Sequence, residues 1–417
     1  MRENVIAISL ILPDVKRTVA EEHLEELTKL IETAGGTVVE RVFAKRNGPD
    51  PATYVGSGKA EEIRQLTFAF DAKLVVFDDD LTPAQTRNLE KILETKVIDR
   101  SGLILDIFAG RARSRESRTQ VELAQLEYML PRLTRAWTHL SRQAGGIGTR
   151  GVGETQLEID RRIVRTRISR LKEELTKIER TRETQRKQRD AAYTVALVGY
   201  TNAGKSTLFN QLTRGGAEAM DKLFATLDSK SHKAAFDMPR DTVIVDTVGF
   251  IRKLPHHLVA SFRSTMEEAV SADLVLHVID HSHPQFDEQR DIGEKVLSDL
   301  GVDDQRVIEV YNKADQVLEA EPRRRNNAVS VSALTGKGVD RLVDMIRKRE
   351  LEGGETLHLE IPHSQSRTIA RLHEVAEVLQ QSMTDEAAVF TAWVPRDQVH
   401  LFRAYTADNL LRSMTTH

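Results

Sequence analysis

Residues 193–212 read YTVALVGYTNAGKSTLFNQL, and this stretch decides the fold. Tyr193–Gly199 is an apolar strand pattern, Gly199–Ser206 fits G-x-x-x-x-G-K-[ST], and a helical run follows from Thr207 to Leu212. Strand, Gly-rich loop and helix in that order make a phosphate cradle. Gly199 and Gly204 allow the backbone N–H groups of the loop (Tyr200, Thr201, Asn202, Ala203) to turn inward, and the helix N-terminus adds a positive partial charge. Lys205 is expected to reach the β and γ phosphates of a nucleotide, and Ser206 to offer its hydroxyl to Mg²⁺.

Three further motifs follow in register, each at the end of a strand pattern. DTVG (Asp246–Gly249) closes TVIVD (Thr242–Asp246) and suits an Asp that holds Mg²⁺ through water. Gly249 leaves its N–H open to a γ-phosphate because no side chain blocks the approach. NKAD (Asn312–Asp315) closes VIEVYN (Val307–Asn312). The Asp315 carboxylate matches the N1–H and exocyclic amine of guanine, and beside adenine it would stay unpaired. Lys313 is expected to lay its stem along the base and Asn312 to tether the loop. SAL (Ser332–Leu334, with Ala333) ends AVSVSA (Ala328–Ala333), where a backbone N–H meets the guanine O6. The remaining strand of this region is LVLHVID (Leu274–Asp280).

Upstream, residues 1–110 alternate strand and helix signals. Val5–Leu10, Thr37–Ala44, Leu74–Phe77 and Lys96–Ile98 read as strands; Val19–Ala34, Lys59–Ala69 and Pro83–Glu94 read as helices. Thr82 is the N-cap of the last. This is an α/β domain with a largely parallel sheet. Residues 111–190 carry no strand pattern. Leu157, Val164, Ile168, Leu171, Leu175 and Ile178 form a coiled-coil seam, and Val121, Ala124 and Tyr128 begin a similar face, resumed at Leu133, Trp137 and Leu140. Between them GGIGTRGVG (Gly145–Gly153) holds five glycines in nine residues, so two antiparallel helices joined at a Gly-rich tip are expected. Residues 191–352 are the phosphate-binding domain. After Gly353-Gly354, residues 353–417 read as a small α+β domain: strand Thr356–Ile361, helix Ser366–Ser382, strand Ala388–Val394.

The 417 residues carry a formal net charge of −3, with 40% hydrophobic and 29% charged residues, a folded rather than disordered composition. The net charge taken whole argues against a nucleic-acid partner. Dividing the chain reverses this: residues 111–190 hold 20 Lys and Arg against 11 Asp and Glu, a net of +9, leaving −12 elsewhere. The basic segment is either a solvated coiled-coil face or an arm that seeks phosphates, as RNA presents. The absence of cysteine excludes disulfides, thiolate metal sites and cysteine nucleophiles. No apolar run approaches the roughly 18 residues of a membrane span. Val5–Leu12 lacks the flanks of a signal peptide, so a cytoplasmic setting is expected.

The four ordered motifs resemble a TRAFAC-class GTPase, and neighbouring residues narrow the resemblance to the HflX family. LFATLD (Leu223–Asp228) is similar to the switch I of Obg and HflX relatives. DTVGFIRKLPHHLV (Asp246–Val259), GTRGVGETQLEIDRR (Gly148–Arg162), DIFAGRARS (Asp106–Ser114) and SRTQVELAQL (Ser117–Leu126) look like HflX. The resemblance implies a doubly wound P-loop GTPase domain, preceded by an α/β domain with a long helical hairpin and followed by the small α+β domain. It places Thr226 on Mg²⁺ and the γ-phosphate, and adds Thr207, Phe224 and Ala225 to the GTP contacts. Lys205, Thr226 and Gly249 would then carry catalysis. It implies binding to the large ribosomal subunit and its rRNA, with Arg150 of the tip either an rRNA contact or a solvated loop residue. The activity implied is GTP hydrolysis coupled to ribosome splitting or rescue under stress. The alternative is a GTP-regulated assembly or RNA-binding factor in which hydrolysis drives nothing. No DNA partner and no membrane span are expected, and the chain is expected to be monomeric.

Smaller signals stay open at this level. Phe250 stands where many signalling GTPases carry a water-orienting glutamine, which predicts slow intrinsic hydrolysis. Asn202 matches the asparagine that coordinates K⁺ in related cation-dependent GTPases, or it stabilises the loop. GSGK (Gly56–Lys59) is either a truncated phosphate loop of a second nucleotide site or a turn into the helix. His256-His257 and His281-x-His283 lack acidic companions at ligand spacing and read as exposed loop residues. Trp137 and Trp393 read as packing residues.

Overall fold

The computed structural model describes residues 3–133, 156–187, 192–213, 223–224, 226–238, 241–253, 268–317 and 327–406. The chain divides into two compact units. One comprises Met1–Thr181, Met220–Asp228 and Ile251–Ser264; the other comprises Arg182–Ala219, Ser229–Phe250 and Thr265–His417.

In the first unit β1 (Asn4–Ile11), α1 (Arg17–Ala34), β2 (Thr37–Lys45), α2 (Ser57–Ala69), β3 (Leu74–Phe77), α3 (Pro83–Leu93) and β4 (Lys96–Asp99) alternate along the chain. The strands form an all-parallel sheet in the order β2-β1-β3-β4. Ile6, Ile8, Val75 and Phe77 from its centre pack with Ile63 and Leu89 of the helices. The central strands β1 and β3 are almost wholly apolar and buried because parallel strands are covered on both faces, whereas the edge strand β2 carries Glu40, Arg41 and Lys45. Pro83 at the first turn and the reciprocal Thr82–Gln85 capping box fix the start of α3. Gly35 ends α1 with φ 97°, a left-handed cap that favours glycine.

Asp99 closes β4 and caps α4 (Arg100–Arg111) by accepting from the Gly102 N–H at 2.9 Å. The basic segment follows as α5 (Arg115–Met129) and α6 (Gln156–Lys187). They run antiparallel, since Arg115 pairs with Glu174, Glu122 with Arg167, and the Leu133 carbonyl with Arg161. Leu123, Ile168 and Leu171 form the buried seam, joined by Leu126, Leu130, Val164 and Leu175. Of the six α6 positions expected from the periodicity, the four central ones, Val164, Ile168, Leu171 and Leu175, line the seam. The α5 half differs: Tyr128 does not join this seam but donates its hydroxyl to Asp99 Oδ1 at 2.7 Å. The buried Asp99 carboxylate claims that ring, and the leucines two positions to either side, Leu126 and Leu130, take the seam. The Gly145–Gly153 tip, Trp137, Leu140 and Arg150 lie outside the described residues.

The second unit holds β5 (Tyr193–Gly199), α7 (Lys205–Thr213), β6 (Lys230–Lys233), β7 (Thr242–Asp246), β8 (Leu274–Asp280), α8 (Phe286–Asp299), β9 (Val307–Asn312), β10 (Ala328–Ser330) and α9 (Val339–Glu352). The sheet order is β10-β9-β8-β5-β7-β6, parallel except for the β6 edge. Its core is Val195, Leu197, Leu208, Phe209, Ile244, Leu276, Val278, Ile308 and Val310. The order reverses on either side of β5, so the loop after β5 sits at the switch point where open α/β sheets take ligands. β10 stops three residues short of the expected Ala333, because the Ser332 N–H turns to the Lys337 carbonyl at 2.8 Å.

A three-stranded antiparallel sheet, order β11-β13-β12, completes this unit from β11 (Gly354–Pro362), α10 (Ser366–Val375), β12 (Glu377–Met383) and β13 (Ala387–Pro395). The expected helix Ser366–Ser382 is a correction: it ends at Val375, and its second half is β12. Ile369, Leu372 and Val375 finish the helical face against the sheet. Ala376 then becomes extended (φ −128°, ψ 152°), and Glu377–Met383 pairs with β13. β12 is an edge strand with mostly exposed side chains, so it needs no alternating apolar pattern and carries none. Trp393 is buried and donates its indole N–H to the Leu351 carbonyl at 3.1 Å.

Candidate GTP site

The loop after β5 is shaped by backbone constraint. Gly199 has φ 145°, and a Cβ there would stand 2.1 Å from the Val278 carbonyl oxygen. Gly204 has φ 90°, and its Cβ would stand 2.2 Å from Asn312 Nδ2. Both positions exclude other residues on conformation and on space. Asn202 is also left-handed, at φ 64°, a region that Asn tolerates. The Lys205 ammonium lies over the loop, donating to the carbonyls of Gly199 (3.1 Å) and Tyr200 (2.9 Å). Burial pushes its pKa down to about 8, against the opposing pull of Asp246.

Ser206 follows at the first turn of α7 and donates its hydroxyl to Asp246 Oδ2 at 2.8 Å. Thr247 anchors the next loop by donating to the Leu197 carbonyl at 2.7 Å. The Phe250 N–H donates to the Gly199 carbonyl (2.9 Å), and the Thr201 N–H to the Phe250 carbonyl (2.7 Å). Gly249 is thereby held against the P-loop, where a Cβ would meet Lys205 Nζ at 2.8 Å and Thr201 Cα at 2.9 Å.

On the far side, Asn312 ties three loops together. Its Nδ2 donates to the Ala203 carbonyl at 2.8 Å, and its Oδ1 accepts the Ala333 N–H at 2.9 Å. Lys313 is left-handed (φ 63°) and pairs with Asp280 Oδ2 at 2.7 Å. Asp315 accepts from the Ser332 hydroxyl at 2.5 Å, so its carboxylate is oriented by the SAL loop.

Profile comparison places three families along the chain: GTP-binding GTPase N-terminal on residues 21–109, GTP-binding GTPase Middle Region on 111–189, and 50S ribosome-binding GTPase on 194–313. The GTPase HflX of Caldanaerobacter subterraneus is 47% identical over 368 residues, covering 88% of this chain and 86% of that one. The GTPase HflX of Lacrimispora saccharolytica is 43% identical over 416 residues, 98% and 96% of the two chains. That of Escherichia coli is 44% identical over 377 residues, 88% of each chain. The chain belongs to the HflX family of GTPases. It is a GTP hydrolase built on the P-loop fold.

Within this HflX chain, Lys205, Ser206, Asp246 and Gly249 belong to the second compact unit, whereas Phe224 and Thr226 belong to the first. Phe224 stands edge-on to Phe108, ring centroids 4.7 Å apart, and Thr226 is buried. Ala225, Arg150 and His256-His257 lie outside the described residues. His281 and His283 are half-buried, not exposed as expected: His281 packs edge-on to Phe286 and Tyr311, and His283 Nδ1 accepts from the Gln285 N–H. No cluster of three potential metal ligands from His, Cys, Asp and Glu occurs among the described residues. Gly56–Lys59 forms the entry to α2, with Lys59 paired to Glu62, beside a cavity of about 610 Å³ that includes Arg17, Lys45 and Arg46. Asp280 and Thr247 were not singled out from sequence. Asp280 has a signal, an acid ending a buried strand; Thr247 lies inside DTVG without one.

Proposed function

We propose that this GTPase binds the large ribosomal subunit and couples its nucleotide state to the splitting of ribosomes. The observation carrying the nucleotide chemistry is Asn312, which joins the P-loop, the NKAD loop and the SAL loop through two hydrogen bonds. Supporting the ribosomal reading are the description of the family matched by residues 194–313 and the charge of +9 on residues 111–190.

In this reading Gly199–Thr207 cradles the phosphates, Lys205 moves from the loop carbonyls onto the β and γ oxygens, and Asp315 selects guanine. A hydroxyl and a buried carboxylate 2.8 Å apart, Ser206 and Asp246, are hard oxygen donors suited to Mg²⁺, Asp246 acting through water. Bound Mg²⁺ would neutralise charge on the β and γ oxygens. Thr226 and the Gly249 N–H sense the γ-phosphate, ordering in the GTP form and releasing after hydrolysis. Phe250 offers no side-chain hydrogen bond, so intrinsic hydrolysis is slow until the ribosome, or K⁺ held near Asn202, completes the site. Equal rates in KCl and NaCl would remove the K⁺ role. No described helix is long and apolar enough to cross a membrane.

The test is sedimentation of intact ribosomes with the protein and GTP, GDP or a non-hydrolysable analogue. GTP and the analogue are expected to raise the free-subunit peaks and GDP to leave them unchanged. An identical profile with all three nucleotides would reject the coupling.

A further inference from the structure

The LFATLD stretch lies between two strands of the GTPase sheet in sequence, yet it clusters with the N-terminal unit, and one carboxylate makes the connection. Asp228 Oδ1 accepts from the Ser114 hydroxyl at 2.6 Å, and Oδ2 accepts from the backbone N–H groups of Arg113 (3.0 Å) and Ser114 (3.2 Å). Ser114 is the N-cap of α5, and its Oγ also accepts the Ser117 N–H at 3.0 Å. One hydroxyl thus caps the helix and holds Asp228 at once. The carboxylate lies at the positive end of a 15-residue helix, where negative charge is favoured. Partial burial raises its pKa, but bonds from Ser114, Ser117 and Arg113 outweigh this and hold it below the ordinary carboxylate range.

A second contact fixes the same stretch, Phe224 against Phe108 of α4. The other end of α4 engages the segment after Phe250. Arg100 is buried between Asp78 and Glu26, and its Nε donates to the Arg252 carbonyl at 3.2 Å, while Lys253 pairs with Asp78 at 3.1 Å and with Asp79. Arg100 and Phe108 are eight residues apart, about 12 Å along a helix. α4 therefore engages both segments that flank the DTVG strand.

We propose that Asp228 is a positioning residue for GTP hydrolysis: by holding Ser114, the N-cap of α5, it ties the Thr226 stretch to the first helix of the basic hairpin. It rests on the reading of Leu223–Asp228 as the γ-phosphate-sensing switch. Coupling of this kind is reciprocal. A ligand that shifts the hairpin base changes the affinity for the γ-phosphate, and a bound γ-phosphate changes the affinity of the hairpin for its ligand by the same factor.

The test uses the full chain and stopped-flow dissociation of fluorescent GDP and of a fluorescent non-hydrolysable GTP analogue. Ser114→Asp keeps a good N-cap on α5 but sets two carboxylates against each other. It is expected to speed release of the analogue at least about fivefold, the scale of one lost charge-assisted hydrogen bond, with GDP release unchanged. The double variant Ser114→Asp/Asp228→Asn restores a donor opposite the cap and is expected to return the analogue to within about twofold of the parent. Asp228→Asn alone is expected to fall between them. Equal acceleration of GDP and analogue, no acceleration, or no recovery in the double variant would overturn the proposal. Loss of all guanine-nucleotide binding in the unaltered chain would instead defeat the reading on which it rests.

Discussion

Asn312 and Ala203 are separated by 109 residues and joined by one 2.8 Å hydrogen bond, from the Asn312 side-chain amide to the Ala203 carbonyl. The same amide group accepts the Ala333 N–H, so the NKAD and SAL loops are both indexed to the loop after β5. Replacing Asn312 with Ala removes both bonds and leaves a buried carbonyl and a buried N–H unpaired, at about 1–3 kcal/mol each. GDP affinity measured by calorimetry is expected to fall at least about tenfold, with the far-UV spectrum unchanged.

Gly249→Ala tests the approach of the DTVG loop. Its Cβ would overlap the Lys205 ammonium, which can shift, and Thr201 Cα, which belongs to the backbone and cannot do so cheaply. Single-turnover GTP hydrolysis is expected to slow by roughly tenfold or more, while GDP binding stays near the parent value. Equal loss of GDP and GTP binding would show general damage to the loop instead.

Under the proposed function, Lys205 would link nucleotide binding to protons. Burial brings its pKa to about 8, below the ordinary lysine value of 10.5, so the folded chain carries the deprotonated form increasingly above pH 8. Phosphates placed beside it restore the charge. GDP binding at pH 8.5 should therefore take up protons, read as buffer-dependent calorimetric enthalpy, and this uptake should vanish toward pH 7. In the free chain the sign is that stability rises with pH between about 8 and 10.5, because the unfolded state binds the extra proton there.

His277 sits on β8, 1% exposed, and among the described residues neither ring nitrogen has a hydrogen bond. Burial, with smaller effects from Lys205 and Arg290, pulls its pKa down to about 4. The stability this neutral ring allows is present above pH 6.5 and is lost as pH falls from there toward 4. A thermal midpoint that declines across that window, with a weaker decline in His277→Leu, is expected. Gly293→Ala would place a Cβ 2.2 Å from His277 Nε2 and destabilise the unit by about 1–3 kcal/mol.

The P-loop, DTVG and NKAD were legible in sequence because each follows a strand buried on both faces, whose apolar run has sharp ends. Such strands carry their own punctuation. β6 was not legible, since Lys230–Lys233 is a polar edge strand, and β12 read as a helix for the same reason. Tyr128 was assigned to the hairpin seam on its spacing, but the buried Asp99 carboxylate that claims it is 29 residues away. The Asp228–Ser114 contact spans 114 residues and involves two common polar residues, so no local pattern announces it.

The most direct test of the account is multiple-turnover GTP hydrolysis with purified large ribosomal subunits, run for the parent chain and for Asp315→Asn. Turnover of GTP by the parent is expected to rise with subunit concentration and saturate, and the variant is expected to transfer that behaviour to xanthosine triphosphate. A parent rate that is the same with and without subunits would contradict the account.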